Sequence, residues 1–177
     1  MLIAKQKISP ALIFKTERLD LMRMDRDDAA FIFDLLNSAG WLKFIGDRKI
    51  RCLEDAAAYI DTLNHNNSIV YWKVVENITN NKLGIITLVK RDFLTHADIG
   101  FAFLPQFTGK GYAYEATNAL VKFLFEHEIE DTIMAITNMD NVPSIKLLEK
   151  IGMQFLHETT EKEEPILVYQ LNKIQVK

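Results

Sequence analysis

The stretch QFTGKGYA, residues 106–113, decides the fold, because it joins a predicted strand to a predicted amphipathic helix through two glycines. Gly109 and Gly111 let the backbone approach a ligand closely and turn its N–H groups inward. Those N–H groups, together with the free donors and the positive end of the following helix, form a site that suits a pyrophosphate. A glycine-containing turn also occurs as a purely structural feature, so the surrounding sequence has to decide between the two interpretations.

Two well-known phosphate-binding patterns are absent from this stretch. The pattern GxxxxGK[ST] fails because Lys110 lies between the glycines and Tyr112 occupies the position that requires Ser or Thr. The dinucleotide pattern GxGxxG fails because residues 112–114, YAY, hold no glycine at the required place. The spacing that remains is Q-x-x-G-x-G, which begins at Gln106.

Hydrophobic periodicity on either side of this stretch predicts a mixed order of strands and helices. Strands are predicted at residues 18–24, 69–75, 83–89, 96–104, 132–137, 154–158 and 167–171. Helices are predicted at residues 25–36, 54–63, 112–127 and 141–151, with a loop at 38–52. This order indicates an α+β fold rather than a doubly wound α/β fold. The length of 177 residues and the lack of an evident linker predict a single domain, residues 1–177.

Composition and charge disfavour several classes of protein. Lysine and arginine number 21 against 24 aspartate and glutamate, whereas a nucleic-acid binder needs clustered positive charge. The single cysteine, Cys52, excludes an intramolecular disulfide and a multi-cysteine metal site. No apolar run is long enough to cross a bilayer, and residues 1–14 lack the features of a signal peptide. We therefore expect a cytoplasmic protein without nucleic-acid or membrane partners, whose acidic balance permits a cationic substrate.

Other segments extend the Q-x-x-G-x-G spacing into a pattern that covers most of the chain. They are ADIGF at residues 97–101, GKGYAYEA at 109–116, NMDNVPS at 138–144, LEKIGM at 148–153 and TERL at 16–19. In combination these segments resemble the GNAT superfamily of N-acetyltransferases. The TERL start resembles its RimJ/RimL branch, the ribosomal-protein N-acetyltransferase-like members, and the resemblance runs from about residue 16 to residue 171.

This resemblance implies the GNAT fold, an α+β domain with a mixed, mainly antiparallel sheet of about seven strands flanked by about four helices. It also implies acetyl-CoA as the co-substrate and no metal. In the family, the pantetheine arm lies in a gap beside the fourth strand, the pyrophosphate lies on the glycine loop, and an Asn contacts the arm. The matching CoA-binding residues are Phe101, Ala102, Phe103, Leu104, Gln106, Thr108, Gly109, Lys110, Gly111, Tyr112, Ala113, Asn141 and Ser144.

The resemblance is weaker for the side chains that stabilise the thiolate of CoA, the leaving group when the acetyl group is transferred. Many members of the family carry a Tyr seven residues after the Asn, and here that position is Leu148. Ser144 matches the Ser that RimJ/RimL-like members carry three residues after the Asn. Its hydroxyl can donate a hydrogen bond to sulfur, and an ordinary first-turn helix residue fits the position equally well. Asn141 is in the same way a favoured helix cap as well as a candidate ligand.

A base must also accept the proton of the attacking amine. Asp98 matches the acidic position before the I-G-F of the fourth strand, and His96 lies two residues earlier, on the same face of that predicted strand. Histidine is the residue type whose charge ordinarily changes closest to neutral pH. Either side chain fits equally well as a solvated group of the sheet, and catalysis by water and backbone groups is a further alternative. We favour Asp98, because a carboxylate also attracts a cationic amine.

The aromatic side chains Trp41, Phe44, Tyr71 and Trp72 fit the lining of an acceptor cleft, although aromatic residues in a half-buried sheet usually form the core. Residues 161–164, EKEE, are interpreted as a solvated turn between the last strands.

The sequence thus predicts an N-acyltransferase that moves an acetyl group from acetyl-CoA to a primary amine in a ternary complex. The amine belongs either to a protein N-terminus or to a small molecule. The missing Tyr keeps open a second interpretation, a non-catalytic CoA-binding sensor or scaffold on the same fold. A third interpretation is a nucleotide-binding protein unrelated to CoA. The sequence leaves open the identity of the acceptor, another acyl group such as succinyl, and the formation of a homodimer.

Overall fold

Strands and helices follow one another over residues 14–161 and 164–173, the part of the chain that the computed structural model describes. The strands are β1 (Phe14–Lys15), β2 (Leu19–Met22), β3 (Ile69–Glu76), β4 (Lys82–Val89), β5 (Asp98–Phe103), β6 (Thr132–Asn138), β7 (Gln154–Glu161) and β8 (Glu164–Asn172). The α-helices are α1 (Ala29–Leu36), α2 (Ala39–Phe44), α3 (Leu53–His65), α4 (Tyr112–Glu126) and α5 (Val142–Ile151). Short 3₁₀ helices lie at Arg26–Asp28 and Pro105–Phe107.

The eight strands form one sheet in the order β1-β2-β3-β4-β5-β6-β8-β7. Every neighbouring pair is antiparallel except β5 and β6, which run parallel. Helices connect the strands irregularly along the chain rather than after each strand. The predicted α+β class, with its mixed and mainly antiparallel sheet, is therefore confirmed.

Helices cover both faces of the sheet. Successive side chains of a strand point to opposite faces, and β3 shows the consequence. Trp72 packs in the same cluster as Leu120 and Leu124 of α4, whereas the neighbouring Tyr71 packs with Ile32 of α1 and Ile60 of α3. The central strands are buried on both sides for this reason, which explains why β3 and β4 are almost continuously apolar in sequence.

Two elements differ from the sequence-based expectation of about seven strands and about four helices. The additional strand is β1, which has two residues and pairs Phe14 with Leu21 of β2. The additional helix is α2, so the prediction of a loop over residues 38–52 is wrong for this segment. Ser38 begins α2 by accepting a hydrogen bond from the Trp41 N–H at 3.4 Å, and the Trp41 side chain is only 6% exposed. A helix of 6 residues is too short to show a recognisable helical period in the sequence.

A buried ionic cluster ties the start of α1 to the centre of the sheet. The Asp28 carboxylate is 1% exposed and lies 2.7 Å from Lys73 Nζ of β3 and 2.6 Å from Lys82 Nζ of β4. It also accepts a hydrogen bond from the Asp25 N–H at 2.9 Å. Burial by itself raises the pKa of Asp28, but the hydrogen bonds from the two lysines outweigh burial and hold the pKa below its usual range. Asp28 is therefore ionised at neutral pH.

Some sequence-based expectations fall on residues that lie outside the described ranges. They concern residues 1–13 of the N-terminal segment 1–14, where no signal peptide is expected, and the middle of the acidic turn at residues 162–163. Among the helices that are described, none has the length and apolar character needed to span a membrane.

Candidate functional site

The parallel strands β5 and β6 separate soon after they meet. Their register consists of one pair, Asp98 with Met134, and the Met134 N–H donates to the Ala97 carbonyl at 2.9 Å. On its other side β5 pairs with β4 along its whole length, from Asp98 opposite Val89 to Phe103 opposite Gly84. Beyond the first pair, the edge of β5 that faces β6 is left with backbone groups that need partners. The side chains of residues 101–103 beside this gap are only partly buried.

The glycine loop lies at the open end of this gap. After β5 the Leu104 N–H donates to the Leu83 carbonyl at 2.9 Å, and the 3₁₀ helix Pro105–Phe107 leads into the loop. Gly109 and Gly111 have φ angles of 73° and 81°, in the left-handed region that glycine adopts without strain.

Helix α4 starts directly after Gly111, and no side chain in the described part of the chain caps its first turn. The N–H groups at the start of an α-helix have no partner within the helix and attract anions. The loop residues from Thr108 to Gly111 are exposed to solvent, so an anion has access to these donors. The predicted phosphate-binding loop thus has a geometry that fits a pyrophosphate, and its contacts with the phosphates stay predictions.

A shallow groove continues from the loop along α4. Its volume is about 470 Å³, and it is lined by the segment from Thr16 to Arg18, by one face of α4 and by Lys150 of α5. The cationic side chains of Arg18, Lys122 and Lys150 line it together with Glu17 and Glu115. The groove therefore offers positive charge close to the place where phosphates would lie.

The candidates at the start of α5 occupy its first turns. The side chain of Asn141 accepts a hydrogen bond from the Ser144 N–H at 3.3 Å, so the interpretation of Asn141 as a helix cap is confirmed. Ser144 is 9% exposed and Leu148, one turn later on the same face, is fully buried in the core around α4. A side chain at position 148 therefore faces the core. The ligand role of Asn141 and the role of Ser144 stay predictions.

The two candidate bases lie in different environments. Asp98 is 2% exposed, and its Oδ2 accepts a hydrogen bond from Arg91 Nε at 2.7 Å. Its Oδ1 is buried and makes no close hydrogen bond with the described residues, although the backbone N–H of Ile136 in β6 lies near enough to the carboxyl group to lower its pKa. His96 precedes β5 and is exposed to solvent. The expectation that the two share a strand face does not apply, because the strand begins only at Asp98.

Arg91 and Glu161 complete this environment, and sequence reasoning missed both as functional candidates. Arg91 Nη1 donates to Glu161 Oε1 at 2.8 Å, so the guanidinium joins Asp98 of β5 to the end of β7. Glu161 is thus an ion-pair partner as well as part of the acidic turn. The only signal in the sequence is an arginine seven residues before Asp98, and that spacing carries no known meaning.

Burial dominates the ionisation of Asp98. It raises the pKa of Asp98 to about 6, although the charge and hydrogen bond of Arg91 act in the opposite direction. For Arg91, burial lowers the pKa, but the carboxylates of Asp98 and Glu161 outweigh burial and raise it. Asp98 is therefore a carboxyl group that changes its charge in the range where a general base is useful.

The aromatic candidates are mostly core residues. Trp72 is fully buried beneath α4, and Trp41 and Tyr71 are buried in the cluster formed by α1, α2 and α3. Phe44 is partly buried, and the Lys43 ammonium lies 4.5 Å from the centre of its ring. The interpretation as core is confirmed for Trp41, Tyr71 and Trp72.

Over residues 14–161 and 164–173, no group of three or more His, Cys, Asp or Glu side chains lies together in a way that could hold a metal ion. The candidate site thus consists of the glycine loop, the gap between β5 and β6, and the ion pairs of Asp98, Arg91 and Glu161.

Comparison with known proteins identifies the family. The family described as Acetyltransferase (GNAT) domain matches residues 18–154. A relative described as the uncharacterised N-acetyltransferase YnaD of Bacillus subtilis (strain 168) is 27% identical over 140 residues, which cover 78% of this chain and 81% of the relative.

Two solved structures have a similar fold. A GNAT-family acetyltransferase from Bacillus anthracis has a TM-score of 0.78 at 24% identity, over 92% of this chain and 99% of that chain. A protein from Vibrio cholerae, provisionally assigned as a ribosomal-protein-serine acetyltransferase, has a TM-score of 0.77 at 20% identity, over 93% of this chain and 99% of that chain. Because the family match at residues 18–154 spans well over half of the sequence, the chain belongs to the GNAT family and is an acetyltransferase that uses acetyl-CoA.

Proposed function

We propose that the chain transfers the acetyl group of acetyl-CoA to a primary amine within a ternary complex, as a member of the RimJ/RimL branch. The gap between β5 and β6, which opens onto an uncapped glycine loop, is the observation that carries this proposal. A gap lined by backbone donors and acceptors suits a linear ligand with amide groups, and a glycine loop at its open end suits the phosphates at the end of that ligand.

Acetyl-CoA lies with its pyrophosphate on the backbone of Thr108–Ala113 and its pantetheine arm along Phe101–Leu104. The path from Leu104 back to Asp98 is six residues of strand, roughly 20 Å at about 3.3 Å per residue. This length is comparable with that of an extended pantetheine arm. The thioester therefore lies where β5 and β6 meet, beside Asp98.

The reaction is a direct aminolysis. The amine nitrogen attacks the thioester carbonyl carbon, the C–S bond breaks, and its electron pair stays on the sulfur. The amine proton passes to a base, and the thiolate is stabilised by a hydrogen bond or takes up a proton. The group that we assign to the sulfur is the Ser144 hydroxyl, because Leu148 faces the core and brings no donor to the site.

Asp98 is the residue that we assign as the base. It lies at the meeting point of β5 and β6, and its buried Oδ1 makes no close hydrogen bond with the described residues, so this oxygen can accept one from an amine. An ammonium group that donates to this oxygen gains an ion pair and gives up its proton to a carboxylate whose pKa is raised to about 6. His96 is exposed and stays the second candidate, to be separated from Asp98 by the pH dependence described below.

A protein N-terminal amine is the acceptor that we favour over a small-molecule amine. The TERL segment and Ser144 match the RimJ/RimL branch, and the similar Vibrio cholerae structure is provisionally assigned to ribosomal-protein-serine acetylation. A single domain and a cytoplasmic location stay predictions from the sequence, which leaves the formation of a homodimer open.

The experiment is a panel of acceptors assayed with acetyl-CoA, comprising peptides with free N-termini, polyamines and aminoglycosides. Peptides with a free N-terminal amine should be acetylated at the α-amine, as mass spectrometry of the products will show, and N-terminally blocked peptides serve as the control. Preferential turnover of a small-molecule amine would contradict the choice of acceptor, and the absence of turnover with every amine would contradict the proposed reaction.

A further inference from the structure

The TERL segment, residues 16–19, has no part in the proposed reaction, yet it forms a defined turn against the start of α4. The Thr16 N–H donates to the Leu19 carbonyl at 2.9 Å, and the Leu19 N–H donates to Thr16 Oγ1 at 3.0 Å. This turn presents the side chains of Thr16 and Arg18 to Glu115, which lies in the first turn of α4.

The Glu115 carboxylate is held by both residues of this turn. Its Oε1 accepts hydrogen bonds from Thr16 Oγ1 at 2.6 Å and from the Arg18 N–H at 2.9 Å. Its Oε2 lies 2.7 Å from Arg18 Nε and 2.6 Å from Arg18 Nη2. Burial raises the pKa of Glu115, but the hydrogen bonds from Thr16 and Arg18 outweigh burial and lower it. Two guanidinium nitrogens hold Oε2 while the Thr16 hydroxyl and the Arg18 N–H hold Oε1, so both carboxylate oxygens are fixed.

The remaining nitrogen of Arg18 reaches the glycine loop itself. Arg18 Nη1 donates to the Lys110 carbonyl at 3.2 Å. Because a peptide bond is planar and trans, a carbonyl held towards Arg18 directs the N–H of Gly111 to the opposite side. Arg18 also lies 4.6 Å from the ring centre of Tyr112, the first residue of α4, whose hydroxyl donates to Glu76 at the end of β3. One guanidinium thus holds both the peptide between the loop and the helix and the first turn of the helix.

We propose that Arg18 is a positioning residue for coenzyme A: it fixes the direction of the loop N–H groups that bind the pyrophosphate, and it does not bind the phosphates itself. Each of the three guanidinium nitrogens has an acceptor within the protein, namely Glu115 or the Lys110 carbonyl, and these contacts use three of its five N–H groups. The bonds to Glu115 and Lys110 fix the plane of the guanidinium, so its main contribution is to orient the loop. The inference rests on the proposed placement of CoA and explains what the TERL segment contributes to it.

Two variants with opposite changes of charge separate positioning from direct contact. Arg18→Gln removes a positive charge beside the anion site, and Glu115→Gln removes a negative charge. If Arg18 bound the phosphates directly, Glu115→Gln would leave the affinity for CoA unchanged or increase it. If Arg18 acts by positioning, both variants release the loop, and both weaken CoA binding by at least tenfold in isothermal titration calorimetry.

Glu126→Gln is the matched control, since Glu126 is an exposed carboxylate at the other end of α4, lies outside the groove and loses the same charge. We expect its affinity for CoA to stay within twofold of wild type. Steady-state kinetics give a second readout: in Arg18→Gln and Glu115→Gln the KM for acetyl-CoA should rise at least tenfold, while kcat at saturating acetyl-CoA stays within twofold. A general loss of structure would lower kcat as well.

Arg18→Lys provides a milder test if the first two variants fold poorly. A lysine keeps the charge but cannot span Glu115 and the Lys110 carbonyl together, so weaker CoA binding is again expected. Unchanged or tighter binding by Glu115→Gln, or unchanged binding by Arg18→Lys, would overturn the inference. If the wild-type protein itself does not bind CoA, the proposed function fails together with the inference, and this result is distinguishable because it appears before any substitution is made.

Discussion

Burial raises the pKa of Asp98 to about 6, and Arg91 opposes this shift by favouring the charged form. A general base works only when it is deprotonated, so kcat/KM should be low below pH 6 and should rise as the pH increases through about 6. The pH profile of Asp98→Asn should lack this rise, whereas His96→Gln should retain it. Loss of the rise in His96→Gln alone would transfer the role of base to His96, and its persistence in both variants would exclude both residues.

Arg91→Gln tests the assignment of Asp98 as the base by changing the pKa of its carboxyl group. Without the guanidinium the charged form of Asp98 loses its ion pair, so its pKa should increase further. The rise in kcat/KM should then occur at a higher pH than in the wild-type protein. A shift to lower pH would show that Arg91 does not stabilise the ionised carboxylate of the working base.

Ser144→Ala tests the assignment of the sulfur ligand. A hydrogen bond to the thiolate matters most as charge builds on the sulfur, so its loss should reduce kcat more than it changes CoA affinity. We expect a reduction of kcat of about tenfold, equivalent to about 1.4 kcal/mol, measured in steady-state assays at saturating acetyl-CoA. Ser144→Thr, which keeps a hydroxyl, is the control, and a kcat of Ser144→Ala within twofold of wild type would remove Ser144 from the mechanism.

At the scale of the element, the glycine at the start of α4 is compared with the glycine at the end of α5. Gly111 and Gly152 both have left-handed φ angles, 81° and 99°, where a β-branched residue is strained. Gly111→Val and Gly152→Val should therefore both lower the thermal midpoint of unfolding. Only Gly111→Val should also weaken CoA binding, by at least tenfold or about 1.4 kcal/mol, in calorimetric titrations. Equal CoA affinities in the two folded variants would contradict the site on the loop.

The ionic cluster of Asp28 connects the start of α1 to β3 and β4, and its removal should destabilise the fold. Asp28→Asn leaves the ammonium of Lys73, whose side chain is 10% exposed, without its close carboxylate. We expect the free energy of unfolding at pH 7 to fall by about 3 kcal/mol, measured by urea denaturation. Asp61→Asn breaks an exposed ion pair with Arg26 and should cost at most about 1 kcal/mol.

The pH dependence of the same measurement identifies the cause. The folded-state pKa of Asp28 is lowered, so its contribution to stability is present above the ordinary pKa of 3.8 and is lost as the pH falls through the folded-state value. The difference in stability between wild type and Asp28→Asn should therefore shrink in acid. A difference that stays constant down to low pH would show that the effect is not ionic.

At the scale of the whole molecule, the sequence predicts those helices and strands well in which the hydrophobic periodicity extends over many residues. The apolar stripe of α4 with Ala116, Leu120 and Leu124 is visible in the sequence, and these residues are fully buried. The short helix α2 and the two-residue strand β1 escape prediction, because neither is long enough to show a period and both depend on packing against distant residues. The same reasoning applies to the parallel contact of β5 and β6, which one residue pair defines.

Only part of the candidate site can be predicted from the sequence, because some of its contacts join residues that are far apart in the chain. The loop at residues 108–113 has a local signature, since its glycines lie close together and directly precede a helix. The partners of Asp98 and Glu115 have no local signature. Arg18 and Glu115 are 97 positions apart, and Arg91 and Glu161 are 70 positions apart, so only the folded chain shows that they meet.

A crystal structure of the complex with CoA tests the central claim most directly. We expect pyrophosphate oxygens within hydrogen-bond distance of backbone N–H groups at residues 108–113, and a pantetheine arm that follows residues 101–104 of β5. We also expect the sulfur near the meeting point of β5 and β6, within reach of Asp98 and Ser144. CoA bound elsewhere on the molecule, or phosphates held by side chains without contact to the loop N–H groups, would contradict the account.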